Sequence, residues 1–449
     1  MANQQDGFPV VCTTAAGIDV GSEQHWACAP ALSGDGRDVE VFAATTPGVA
    51  RMVAWLQERG VTTVALESTG VYWIVPHEML EGAGFEVRLV DTRELRRVPG
   101  RPKSDRRDCE WLQRLHSCGL LRGAFRPSES VCLLRTLVRD TATLVAERAD
   151  WLRRMQKSLD QMNVRVHRAV AELDGATGMA MVRAIVAGER DPRRLAALRD
   201  RRCQKSETEI AEQLTGHWRA DHLFSLAQAV KMYDAITERI QEYDREILQQ
   251  LGHRARADRE EEAPPPSNTN KAKAIKKRGE DPLRQALYRM SGVDLTTIDA
   301  VGVETATVIV SEYGADLSRF PTEKQFVSHV RLAPYQAISG GKPVPKRKKP
   351  GSASARAGAA LRMAALSLRR SRTALGAYYR RIAQRAGADV AVFATARKLA
   401  QYVYRLLRWG QPYVDVGAAV YEKRYRAARV HRLAQTAKDL GYQLVAVEA

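Results

Sequence analysis

Across the first 120 residues the apolar positions come in short runs broken by charged or turn-forming residues, a pattern of strands interleaved with helices rather than of long helices. Runs at 13–20, 25–32 and 39–44 predict three strands, a helical pattern follows at 49–59, and 61–67 predicts a fourth strand. A second helix at 75–83 leads into a strand at 85–90, and the arginine-rich stretch 91–98 comes next. Alternation of this kind predicts an α/β sheet domain.

From 129 to 251 the strand pattern vanishes. Leu134, Leu137, Leu144 and Val145, then Leu152, Met155 and Leu159, recur at helical spacing with charges between them. A second run at 210–251 carries Leu226, Val230, Met232, Ile236, Ile240 and Ile247 in the same manner, so the two read as an antiparallel hairpin of helices or a plain helical bundle. The span 253–281 contains a triple Glu, Pro264 to Pro266 and a lysine run from Lys271 to Lys277, with almost nothing apolar, and reads as a flexible linker. After it the chain is helical again, apart from a loop rich in Gly, Pro and Lys between Leu332 and Ser354. With 449 residues too many for one ordinary core, the expected division is 1–124, 125–252, a linker at 253–282, and 283–449.

Charge adds a partner to this picture. There are 70 Lys and Arg against 52 Asp and Glu, a net charge of +18, which favours a polyanion and above all nucleic acid over an ordinary soluble surface. The six cysteines show neither CxxC pairs nor zinc-ligand spacing and read as free thiols. No apolar run approaches the length of a bilayer span and residues 1–9 lack a signal-peptide core, so the expectation is a cytoplasmic protein with no membrane partner.

Two acids stand at the ends of apolar strands, Asp19 in Gly17-Ile18-Asp19-Val20-Gly21 and Glu67 in Ala65-Leu66-Glu67-Ser68-Thr69-Gly70, and both leave on the same sheet edge. A carboxylate there is disfavoured by desolvation unless a cation compensates, and a divalent metal is a common one. Taken singly, such an Asp is more often a turn or cap residue. Asp105 and Asp108, in Lys103-Ser104-Asp105-Arg106-Arg107-Asp108, stand three apart and share one face of a helix. Ser104 as N-cap with acids at a helix start accounts for their positions without metal, yet does not exclude ligation. Four carboxylates from three elements suit oxygen ligation of two Mg²⁺ ions and phosphodiester cleavage. Arg93, Arg96, Arg97, Arg101, Lys103, Arg106 and Arg107 are then the nearby candidates for backbone phosphates.

Ser339 lies in Leu332-Ala333-Pro334-Tyr335-Gln336-Ala337-Ile338-Ser339-Gly340-Gly341-Lys342, ahead of Lys346, Arg347, Lys348 and Lys349. Such a serine can attack phosphorus if its proton is taken and cations hold the phosphate, although Ser-Gly-Gly alone is far more often a turn. Aromatics and bases interleave at Tyr378-Tyr379-Arg380-Arg381 and over 397–409, which suits nucleic-acid contact, with core packing as the alternative for Tyr402, Leu406 and Leu407. The segment Thr297-Ile298-Asp299-Ala300-Val301-Gly302 resembles a helix-hairpin-helix turn, with Ala300 where that motif has its first glycine.

Taken in order, Gly-Ile-Asp-Val-Gly, Glu-Ser-Thr-Gly, Lys-Ser-Asp-Arg-Arg-Asp and a distal Leu-Ala-Pro with Ser-Gly-Gly-Lys resemble the DEDD transposases of the insertion-sequence one-ten family over most of the chain. The resemblance implies an RNase H-like (RuvC-like) α/β domain at 1–124, a helical coiled-coil middle, and a mainly α transposase domain at 283–449. It implies that Asp19, Glu67, Asp105 and Asp108 bind Mg²⁺ and that Ser339 forms a phosphoserine link to DNA. Lys342, Lys346, Arg347, Lys348 and Lys349 then join the nucleic-acid contacts. It further implies donor and target DNA, a structured bridge RNA, a homo-oligomer (dimer or tetramer), and a place at the bacterial nucleoid. The stretch 183–281 is longer than the family needs, and the hairpin turn lacks a glycine. Two alternatives remain at this level: a stand-alone RuvC-like nuclease that uses water as nucleophile, and a non-enzymatic architectural binder.

Overall fold

The computed structural model describes residues 9–34, 36–68, 70–90, 104–254, 263–265, 269–334, 338–339, 342–343 and 354–445. The chain divides into two compact units, Met1–Arg126 and Pro127–Ala449. Among the described residues no helix is long and apolar enough to cross a membrane.

The first unit is built on a five-stranded sheet of order β3-β2-β1-β4-β5. Strands β1 (Ala15–Val20), β2 (Gln24–Pro30) and β3 (Arg37–Ala43) form an antiparallel meander, with Asp19 opposite Trp26. Helix α1 (Thr46–Glu58) then crosses over to β4 (Thr63–Glu67), which runs parallel to β1, and α2 (Ile74–Gly82) crosses over to β5 (Glu86–Val90), parallel to β4. Each of these elements was expected, and their bounds fall within three residues of the sequence pattern. Thr45 starts α1 by accepting a hydrogen bond from the Gly48 amide at 3.3 Å.

Alternation along the strands sorts residues between the two faces of the sheet. Ile18, Val20, Val64 and Leu66 pack with Val49, Met52 and Leu56 of α1 and Leu80 of α2. Ala65 and Val90 face the other way, against Leu112 of α3 (Asp105–Ser117). By the same alternation Asp19 and Glu67 share the α3 face. Each fully buried Leu, Ile or Met contributes about 1.5 to 3 kcal/mol, and that apolar packing holds together strand ends that carry like charges.

The second unit is helical. Helices α4 (Glu129–Gln161) and α9 (Ala220–Gly252) have 33 residues each and pack lengthwise. Tyr243 donates to Asp140 at 3.4 Å, Arg148 lies 5.9 Å from the Tyr233 ring, and Met155 and Leu159 share a core with Leu226. Partner numbers fall along α9 as they rise along α4, so the pair is antiparallel. Between them, short helices α5 (Val166–Ala169), α6 (Ala176–Val186), α7 (Pro192–Ala196) and α8 (Glu207–Leu214) extend that same core with Met181, Ile185, Leu195 and Ile210. Much of the added length noted at 183–281 is therefore folded structure.

The span expected as a linker contains α10 (Asn270–Lys277), capped by Thr269 and anchored by Ile275, which is 1% exposed. One isoleucine among lysines gives no readable period, which is why the helix was not anticipated. Then come α11 (Asp281–Ser291), α12 (Val303–Tyr313), α13 (Glu323–His329), a short antiparallel pair of β6 (Ile338–Ser339) and β7 (Lys342–Pro343), and α14 (Ser354–Ser367), α15 (Ala374–Ala386), α16 (Ala388–Trp409) and α17 (Gly417–Asp439). Tyr404, fully buried, donates to the Phe320 carbonyl at 2.6 Å. Glu312 on α12, 2% exposed, takes a two-pronged pair of bonds from Arg139 on α4 at 2.9 and 2.8 Å and a further ion pair from Arg135 at 3.2 Å.

Candidate metal centre and nucleic-acid contacts

Helix α3 can reach the sheet because position 17 has no side chain. A Cβ on Gly17 would stand 2.2 Å from the Gln113 amide nitrogen and 2.7 Å from the Cys109 carbonyl oxygen, so the helix backbone lies directly on β1. Two buried polar contacts fix its rotation. Gln113 Nε2 donates to the Ala15 carbonyl at 3.0 Å, and His116 Nε2 is hydrogen-bonded to Thr63 Oγ1 at 2.9 Å. Burial, with Arg88 nearby, pushes His116 down to about 4, so the imidazole is neutral at neutral pH.

The N-terminus of α3 is thereby brought over the ends of β1 and β4. Ser104 caps it, accepting from the Arg107 amide at 3.4 Å, and Asp105 and Asp108 fill the first turn, where the helix dipole favours acids. One carboxylate oxygen from each of Asp19, Asp105 and Asp108 lies within 4.8 Å of the other two. Glu67 shares a hydrogen bond with Asp19. All four acids anticipated from the sequence thus converge, with Asp105 exposed and the other three half-buried.

Electrostatics make this convergence unfavourable without a cation. Burial first, then the Glu67 charge, the hydrogen bond with Glu67, and the charges of Asp108 and Asp105 push the Asp19 carboxyl from 3.8 up to about 7. Two like charges 4 Å apart repel by about 4 kcal/mol at an effective dielectric of 20. A cluster of oxygen donors with that repulsion suits a hard divalent cation in its donor chemistry and in its spacing.

Other anticipated residues fare differently. Arg106 is exposed and pairs with Glu110 at 3.2 Å, and Arg107 is exposed. Arg93, Arg96, Arg97, Arg101, Lys103, Lys346, Arg347, Lys348 and Lys349 lie outside the described residues. Ser339 is described in its backbone, which pairs with Lys342 across β6 and β7. Of the aromatic and basic stretch, Tyr379 is buried and Arg380 donates to the Ser371 carbonyl at 2.6 Å, so both serve packing. Leu406 is buried as well. At the hairpin-like turn, Ala300 has φ of 64°, the left-handed conformation that its glycine-favouring position requires.

Gly17, Gln113 and His116 were not anticipated. The one available signal was the Gly inside an otherwise apolar strand, which marks close backbone approach.

A family model described as a transposase, of the IS110 DEDD type, matches residues 16–164, a span that holds all four acids. A model of the transposase IS116/IS110/IS902 family matches residues 292–380, which include Ser339. Among curated proteins none matches the chain.

Proposed function

The chain belongs to the IS110 family of transposases, and from that premise we propose that it cuts and rejoins the DNA strands of an insertion sequence through a carboxylate-held divalent metal and a serine nucleophile. The observation that carries the metal half is the set of Asp19, Asp105 and Asp108 oxygens within 4.8 Å of one another, with Glu67 hydrogen-bonded to Asp19. The strand order, an antiparallel meander followed by two parallel strands with the acids at strand ends, supports an RNase H-like domain.

In this reading Asp19, Glu67, Asp105 and Asp108 hold Mg²⁺, two ions in the full site. The bound metal supplies charge neutralisation at the scissile phosphate. Gly17, Gln113 and His116 act by positioning, since they set α3 on the sheet and with it Asp105 and Asp108. The Ser339 oxygen forms a bond to phosphorus while a deoxyribose oxygen leaves, taking up a proton, and the reverse exchange rejoins the strand. Lys342, Lys346, Arg347, Lys348 and Lys349 hold phosphate beside it, and Arg96, Arg97, Arg101, Lys103, Arg106 and Arg107 do so beside the carboxylates. Family membership also supports a bridge RNA that pairs with donor and target DNA, a dimer or tetramer, action at the nucleoid in the cytoplasm, and the division into 1–124, 125–252, 253–282 and 283–449.

Two measurements test this. Mn²⁺ or Mg²⁺ at about 100 times its dissociation constant stabilises the fold by about 2.7 kcal/mol, and Asp19→Asn loses both that stabilisation and strand cleavage. Ser339→Ala retains the metal-linked stabilisation but yields no covalent DNA adduct under denaturing electrophoresis and no recombinant product. Recombination by Ser339→Ala, with no adduct ever trapped in the parent, rejects the serine step and leaves a nuclease that uses water.

A further inference from the structure

Helix α17, Gly417–Asp439, lies beyond the last residue, 380, of the second family match. It has 23 residues and none of them is buried. Its root is held to α15, where the Arg381 guanidinium stacks 4.8 Å from the Tyr421 ring and 3.7 Å from the Tyr425 ring. From Arg426 to Thr436 every residue is exposed, including Val430 at 49% and Leu433 at 48%. A helix with so little packing is marginal alone in water and is most stable when a partner covers it.

Charge identifies the partner. Lys423, Arg424, Arg426, Arg429, Arg432 and Lys438 are all exposed, against two acids on the helix, Glu422 and Asp439. None of the six cations has a carboxylate partner among the described residues, whereas arginines elsewhere in this unit, such as Arg139, Arg183 and Arg405, are paired. The cations also point around the helix: at 3.6 residues per turn, Arg424 and Arg429 are about 140° apart and Arg426 is about 200° from Arg424. A helix lying on a flat polyanion needs cations on one side. One with cations on several sides suits phosphates along both of its flanks.

The dimensions agree. At 1.5 Å per residue the helix is about 34 Å long, close to one turn of B-form DNA. Ala427, Ala428, Ala434 and Ala437 keep its far half slender, and the B-form major groove, about 12 Å wide, admits a helix. The A-form RNA major groove is too narrow for one. We propose that α17 is a duplex-DNA-binding arm that lies in the major groove, its cations neutralising phosphates of both strands. The proposal rests on DNA as the substrate and not on the metal or serine chemistry.

The test uses the full chain in EDTA, so that no strand is cut. Fluorescence anisotropy follows a duplex of about 30 base pairs, as DNA and as RNA of the same sequence, over roughly 50 to 300 mM KCl. Replacing Arg424, Arg426, Arg429 and Arg432 together with Gln keeps helix propensity while removing four charges. The slope of log affinity against log salt on DNA then becomes less steep by about 3 to 4, at about 0.9 per phosphate contact. The RNA slope stays the same, and the matching four-Lys variant keeps the parent's DNA slope. An unchanged DNA slope in the Gln variant overturns the proposal, as does a loss confined to the RNA duplex. A retained DNA slope with a changed molecular mass in light scattering also overturns it, in favour of a second copy of the chain on α17. None of these failures touches the metal reading, which the Asp19→Asn comparison tests separately.

Discussion

Gly17→Ala adds one methyl group at the point where α3 rests on β1. That carbon would sit 2.2 Å from the Gln113 nitrogen, 2.7 Å from the Cys109 oxygen and 2.8 Å from the Gln113 Cα, all of them helix backbone that no rotamer change can clear. Bringing the 2.2 Å approach out to 3.4 Å, the near limit of ordinary van der Waals contact, requires α3 to move by about 1.2 Å. Overpacking of this kind costs about 1 to 3 kcal/mol, which lowers the urea midpoint without unfolding the domain. The larger effect falls on the site, because Asp105 and Asp108 ride on the displaced helix while Asp19 and Glu67 stay with the sheet. A misplacement of about 1 Å costs on the order of 100-fold in rate. The assay is single-turnover cleavage of a labelled insertion-sequence end in Mg²⁺, paired with Mn²⁺ titration of the same protein. Expected are a weaker metal dissociation constant and a rate down by about 100-fold, alongside a fold that still melts cooperatively. If Gly17→Ala cleaves and binds Mn²⁺ as the parent does, α3 is not held by that contact and the account of how the acids meet is wrong.

Three further outcomes are expected. His116 is held neutral by burial, with its folded value near 4 against an ordinary 6.5; its contribution is complete above about pH 6.5 and is lost as the pH falls toward 4, by about 2 to 3 kcal/mol. His116→Gln therefore shows a smaller loss of stability between pH 7 and pH 5 in urea melts, and an equal loss refutes this. Glu312→Gln leaves Arg135 and Arg139 without their buried counter-charge and destabilises the second unit by about 2 to 3 kcal/mol, allowing for the partial exposure of Arg139; a urea midpoint within error of the parent refutes it. Ala300→Gly relieves a left-handed alanine with φ of 64° and stabilises by about 0.5 kcal/mol after the added freedom of the unfolded glycine; a loss of more than about 1 kcal/mol in the same melts counts against it.

The carboxylates were legible because local rules fix them. Strand alternation and the parallel pairing of β1 with β4 put Asp19 and Glu67 on one face and one edge, and spacing of three on a capped helix put Asp105 beside Asp108. Where that helix would land was not legible, since the contact between Gly17 and Gln113 is a long-range packing fact with no period in the sequence. The two long helices were readable from their apolar spacing, whereas the cluster of short helices between them was not, because each is too short to show a repeat. Ser339 stands apart: its local sequence reads as a turn, and the role proposed for it rests on family likeness alone.

The four acids sit on three separate stretches of chain, and the last of them, α3, emerges from the ribosome after both strands. A nascent or clipped chain that ends before α3 carries Asp19 and Glu67 but neither Asp105 nor Asp108. On the proposed reading such a chain lacks two of the four carboxylates that would hold the metal, so a fragment ending before α3 carries only half of the site whatever else it folds into.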